Sequence, residues 1–81
     1  MSDQALLERI TVTSSVMVGK PVIQGTRLTV EYILSLMAHG ATMAEILDEY
    51  DGLTIEDIRA CLLFATKTLA DTTFMSLLEP V

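Results

Sequence analysis

Between Thr29 and Ala70 the chain carries three segments of helical period with almost nothing joining them. Thr29 is placed to cap a helix that sets Val30, Ile33, Leu34 and Met37 on one face, and Gly40 follows as a helix-ending residue. In "TMAEILDEY", Thr42 and Glu45 form a capping-box pattern ahead of Ile46 and Leu47. The "DG" at 51–52 breaks that helix. Thr54 and Asp57 repeat the cap pattern, with Asp where Glu or Gln is usual, and Ile55, Ile58, Leu62, Ala65 and Leu69 then recur at spacings of three and four. The period predicts helices of about 11, 8 and 16 residues. Connections as short as "GA" and "DGL" force sharp turns between neighbours, so a trihelical bundle with a helix-turn-helix-like pair is expected.

Residues 1–28 read as an extended, β-type lead-in, residues 29–70 as the three-helix core, and residues 71–81 as a tail with room for a short helix. "RITVT", Arg9 to Thr13, alternates with Ile10 and Val12 on one side, and Val16–Val18 and Pro21–Ile23 are short β-branched runs. Gly19 and Pro21 punctuate them, and Pro21, with no amide hydrogen, belongs at a strand start or an edge. The fold class is mainly α with a short N-terminal β element, in a single domain spanning 1–81.

That domain is small for its apolar content. At 81 residues it has a high surface-to-volume ratio, yet 51% of its residues are hydrophobic and 20% charged. A homo-oligomer, a dimer being the simplest, is the expected way to hide the surplus. The start, "MSDQALLERI", has no basic region before an apolar run, so no signal peptide is expected, and no apolar run approaches the ~18 residues of a membrane span. The single Cys61 fits a reducing compartment, and a cytoplasmic location is expected. Five Lys and Arg against eleven Asp and Glu give a net charge of −6, which argues against indiscriminate phosphate-backbone binding and suits a basic partner.

Few residues can carry chemistry. His39 is the sole histidine, at a helix end where its partial charge suits the dipole, and Cys61 lies in the most apolar helix as a small core residue. One of each builds neither a metal site nor an activated nucleophile. Glu45, Asp48, Glu49 and Asp51 cluster around the second helix without the ligand alternation of an EF-hand loop, and read as a solvated face. The stretch "GKPVIQGTRLTV" has two glycines and two cations but not the order of a phosphate-binding loop: Lys20 follows the first glycine, Gly19, and Thr26-Arg27 follows the second, Gly25. It reads as a structural lead-in, with Gly25 turning the chain at positive φ, Thr26 bonding the turn backbone, and Arg27 clasping a carboxylate across the bundle, Glu45 or Asp57. No cofactor, metal or enzymatic activity is expected.

The run "ITVTSSVMVGKPVIQGTRLTVEYILSLMAHGATMAEILDEYDGLTIEDIRACLLFA", Ile10 to Ala65, resembles a small prokaryotic family catalogued as domain of unknown function 433. The likeness is carried by "GKPVIQGTR", by the "HGAT" turn with Glu45 and Ile46, and by "LTIEDIRACL". It departs at Tyr50–Gly52, where "YDG" stands in place of the Tyr-Pro pair that commonly leads into the third helix. The resemblance implies a homeodomain-like or winged-helix fold, and an antitoxin of a type II toxin–antitoxin pair whose partner is a PIN-like ribonuclease.

Charge and resemblance agree here, because a ribonuclease groove is basic and an acidic, apolar-rich domain complements it. Leu63 on the third helix and Phe74, Met75, Leu77 and Leu78 in the tail form the candidate apolar docking strip. The alternative is a helix-turn-helix DNA-binding regulator with the third helix, outward residues Glu56, Arg59, Leu63 and Lys67, in the reading position. Lys20, Arg27, Arg59 and Lys67 are then the candidate DNA contacts, with weak binding expected of so acidic a domain. A non-catalytic oligomerisation module is the remaining class.

Overall fold

The computed structural model describes residues 2–13 and 16–71. Its elements run α1 (Asp3–Leu7), β1 (Ile10–Thr13), β2 (Val16–Ile23), α2 (Val30–Ala38), α3 (Met43–Glu49) and α4 (Ile55–Ala70). The fold is mainly helical with one two-stranded antiparallel sheet near the N-terminus. Phe74, Met75, Leu77 and Leu78 lie outside the described residues.

The helices begin where their caps are. Thr29 Oγ1 accepts from the Tyr32 amide at 3.0 Å, and both Thr42–Glu45 and Thr54–Asp57 form reciprocal capping boxes. Each box satisfies two amides that a helix start otherwise leaves without partners. α2 ends in a Schellman motif: the Ala41 amide reaches the Leu36 carbonyl, the Gly40 amide reaches Met37, and Gly40 stands at φ +104°. The "GA" connection is therefore a complete stop-and-restart signal.

In the sheet, Ile10 lies opposite Ile23 and Val12 opposite Pro21, with an irregularity after Val12. Ile23 is buried and Ile10 packs against the core, whereas Val12 is 55% exposed, so the strand's inner face is shorter than its alternation predicts. The turn into α2 forms as expected. Gly25 has φ +83°, Thr26 Oγ1 donates to the Ile23 carbonyl at 2.8 Å and accepts from the Leu28 amide at 3.0 Å, and the Ile23 amide closes back on Leu28. The core gathers Ile23, Val30, Ile33, Ile46, Leu53, Ile58 and Cys61 from β2, all three long-range helices and the α3–α4 turn. Each such side chain contributes roughly 1.5–3 kcal/mol when fully buried.

Three expectations need correction. Residues 3–7 are helical rather than extended: Ser2 Oγ accepts from the Ala5 amide, and α1 packs against α4. Second, α4 is rotated relative to the expected stripe. Its buried residues are Asp57, Ile58, Ala60 and Cys61, while Ile55, Leu62 and Leu69 are 41%, 37% and 54% exposed. Period fixes spacing but not phase, and α1, docking on α4, adds a covered sector that the sequence pattern omits.

The third correction concerns the clasp. Arg27 is exposed and makes no ion pair among the described residues, because its neighbour Leu28 turns into the core and sends it outward. Asp57 is held by Arg9 instead, Nη1 to Oδ1 at 3.0 Å. The other oxygen of Asp57, Oδ2, accepts from the Thr54 amide at 3.0 Å, so one carboxylate both caps α4 and anchors the start of β1. Asp57→Ala is expected to cost about 2–3 kcal/mol, from a lost cap and a stranded guanidinium. Arg27→Ala should change stability by less than about 0.5 kcal/mol. Urea midpoints of the two variants at equal m-value check both values; equal losses would restore Arg27 as the clasp.

Candidate partner-binding face

The surface around α3 is built by its caps. The Gly40 stop and the Thr42 box fix where α3 starts, and Glu45, Asp48 and Glu49 then stand exposed along it, with exposed Asp51 just past its end. Among the described residues, none of these four carboxylates has a Lys or Arg within ion-pair distance. Like charges at 45, 48 and 49 repel at helical spacings of three and four, and among the described residues only the Thr42 amide, which donates to Glu45, offsets that repulsion.

Beside this edge an open groove of about 470 Å³ separates α2 from α3, lined by Tyr32, Leu36, His39, Glu45, Glu49 and Tyr50 among others. Tyr32 and Tyr50 meet edge to face, ring centroids 6.1 Å apart at 83°, and their hydroxyls are hydrogen-bonded. That bond, with partial burial and the negative charge of Glu49, raises the Tyr50 ionisation above its usual value of 10.0. His39 caps α2 with Nδ1 placed 2.7 Å from the Ser35 carbonyl, at the helix end where the sequence puts it. The groove thus offers two tyrosines and the carboxylates of Glu45 and Glu49, and those carboxylates suit a cationic side chain.

The four candidate DNA contacts are not brought together. Lys20 is paired with Glu31 at 3.1 Å, and Lys67 approaches Asp3 at 4.0 Å. Arg27 and Arg59 are exposed, the first in the turn before α2 and the second on α4. Leu63 is half-buried. No group of three or more His, Cys, Asp or Glu among the described residues is arranged to hold a metal ion. No described helix is long and apolar enough to cross a membrane.

Sequence reasoning did not reach three of the residues that matter here. Arg9 is the one cation left without a role, and Asp57, whose cap uses a single oxygen, is its signal. The tyrosine pair spans two helices, and nothing local in the sequence joins Tyr32 to Tyr50.

A small acidic helical domain with a short N-terminal hairpin and a carboxylate-rich second core helix is the class these features define. The sequence model of a family described as protein of unknown function DUF433 matches residues 10–65, and the chain belongs to that family. The crystal structure of a DUF433 member protein from Anabaena variabilis ATCC 29413 is similar, with a TM-score of 0.74 and 31% identity over 83% of this chain. The match spans 66% of that protein's chain. Comparison with curated proteins returns no match.

Cys61 takes no part in this face. It is fully buried, and burial, followed by the nearby Asp57 charge, pushes its thiol from 9.0 up to about 11. The folded state therefore keeps the proton after the unfolded chain has lost it, so stability is complete below about pH 9 and falls as pH rises toward 11. On the order of 2 kcal/mol is expected to disappear across that window, and Cys61→Ala should remove that part of the slope. Urea titrations of both proteins between these pH values measure the difference; parallel curves would contradict it.

Proposed function

We propose that this protein is an antitoxin-like binding protein that neutralises a PIN-like ribonuclease by covering its RNA-binding groove. The observation that carries this reading is the exposed carboxylate edge of α3 (Glu45, Asp48, Glu49, Asp51), which has no cation among the described residues to neutralise it. A basic RNA groove supplies the missing cations, and complementary charge speeds the encounter while fixing register. The tyrosine groove beside the edge gives the contact an aromatic component of the kind that anchors interfaces.

The α3–α4 connection also fits a helix-turn-helix pair, the homeodomain-like or winged-helix reading, and with it repression of the protein's own operon. That second role has less support, because two of the four candidate cations are already engaged with carboxylates and the first turn of α4 carries Glu56 and Asp57. Self-association is part of the proposal. Ile55, Leu62 and Leu69 recur every seventh residue and form one exposed apolar row on α4.

Co-purification with the product of the neighbouring gene is expected to give a complex in which RNA cleavage is suppressed. Asp48→Lys combined with Glu49→Lys leaves the fold intact, since both residues are exposed near a helix C-terminus that favours cations. The pair should weaken the complex about tenfold or more, chiefly at low salt. Undiminished binding by this variant would overturn the assigned face, and a low-salt operator gel shift lost in Arg59→Ala would favour the DNA-binding role.

A further inference from the structure

The outward side of α4 carries a pattern of its own. Ile55, Arg59, Leu62, Thr66 and Leu69 are all exposed and follow one another at spacings of four, three, four and three, the period of a coiled-coil seam. The Thr66 hydroxyl donates to the Leu62 carbonyl at 2.9 Å, so a partner can cover it without leaving its proton unbonded. Arg59 makes no ion pair among the described residues. Charge decides which occupant suits this row. A domain of net charge −6 repels a second copy from most directions, but these five positions hold no carboxylate and one cation. A basic partner is drawn to the α3 edge instead. What fits here is a surface with the same apolar row, and the chain itself carries one.

We propose that α4 pairs with α4 of a second copy, antiparallel, about a two-fold axis at Leu62. In that register Leu62 meets Leu62 of the partner subunit, and Ile55 meets Leu69 of the partner subunit. Arg59 then faces Thr66 of the partner subunit, whose hydroxyl oxygen still accepts. Half-buried Leu63, next to the axis, falls beside Leu63 of the partner subunit and adds to the contact. A parallel pair would stack Arg59 on Arg59, and that repulsion selects the antiparallel direction. The row also borders an open groove of about 520 Å³ between α2 and α4, whose walls include Val30, Leu34, Phe64 and Leu69. Its lining is almost wholly apolar, so the covered surface extends beyond the helix itself.

This inference rests on the self-association named above and not on a ribonuclease partner. It has a consequence for DNA. The seam occupies the face that a helix-turn-helix regulator turns toward the duplex, so the dimer withdraws Arg59 from base or phosphate contact.

Sedimentation of the full chain alone, at micromolar concentration, tests the seam. The parent is expected at twice its 8.9 kDa. Leu62→Glu sets two carboxylates together on the axis and should sediment as a monomer, with helical circular dichroism retained. Substitutions at exposed Thr66 leave the apolar row intact and read the direction of pairing. Thr66→Glu places a carboxylate across from Arg59 of the partner subunit and should tighten the dimer several-fold, most at low salt. Thr66→Arg should loosen it by a similar factor. If Leu62→Glu fails to fold, the two Thr66 variants still decide. A monomeric parent overturns the proposal and leaves binding at the α3 edge untouched. A dimer indifferent to Leu62→Glu overturns the seam while keeping self-association. Loosening by Thr66→Glu overturns the antiparallel register, because a parallel pair brings the two new carboxylates together.

Discussion

Arg9 is the residue through which the separate parts of this fold are tied. Its amide donates to the Leu6 carbonyl at the end of α1, its carbonyl accepts from the Gln24 amide just beyond β2, and its guanidinium holds Asp57 in the first turn of α4. Asp57 is 8% exposed, and a carboxylate so placed needs its partners, because a buried charge left unpaired costs several kcal/mol. Both of its oxygens are used, one by Arg9 and one by the Thr54 amide. The start of α4, the docking of the hairpin and the position of α1 thus depend on one ion pair between residues 48 apart in sequence.

Charge is otherwise sorted by location. The pair that matters for the fold sits at the boundary of the core, and the cations that remain are spent on surface contacts with Glu31 and Asp3 or left at exposed positions. Exposed pairs of this kind contribute little to stability. Among the described residues none of these cations reaches the carboxylates of α3, so the domain presents a strongly one-signed edge next to an aromatic groove. That edge is a poor surface for nucleic acid and a good one for a basic protein, which is why we propose protein–protein contact as its role.

The parts of this structure that could be read from the sequence are those written in local chemistry. The caps at Thr29, Thr42 and Thr54, the Gly40 stop and the Gly25–Thr26 turn each involve residues within a few positions of one another, and all form as expected. The acidic character of α3 was legible for the same reason. What sequence could not supply was long-range. α1 has five residues, too few to be helical without the surface of α4 beneath it. The phase of α4 depends on that same docking, so a period that correctly marked the helix pointed Leu62 and Leu69 the wrong way. The choice of Arg9 over Arg27 as the partner of Asp57 is a matter of which backbone passes α4, and β1 does.

The central claim, that Arg9 and Asp57 act as one unit, is tested most directly by a double-mutant cycle. Arg9→Ala, Asp57→Asn and the double variant would be compared with the parent by urea denaturation at neutral pH. A coupling free energy of about 1–2 kcal/mol is expected, since the two groups share a hydrogen-bonded, partly buried contact. Losses that simply add, to within about 0.3 kcal/mol, would show that the pair does not hold the hairpin to the bundle.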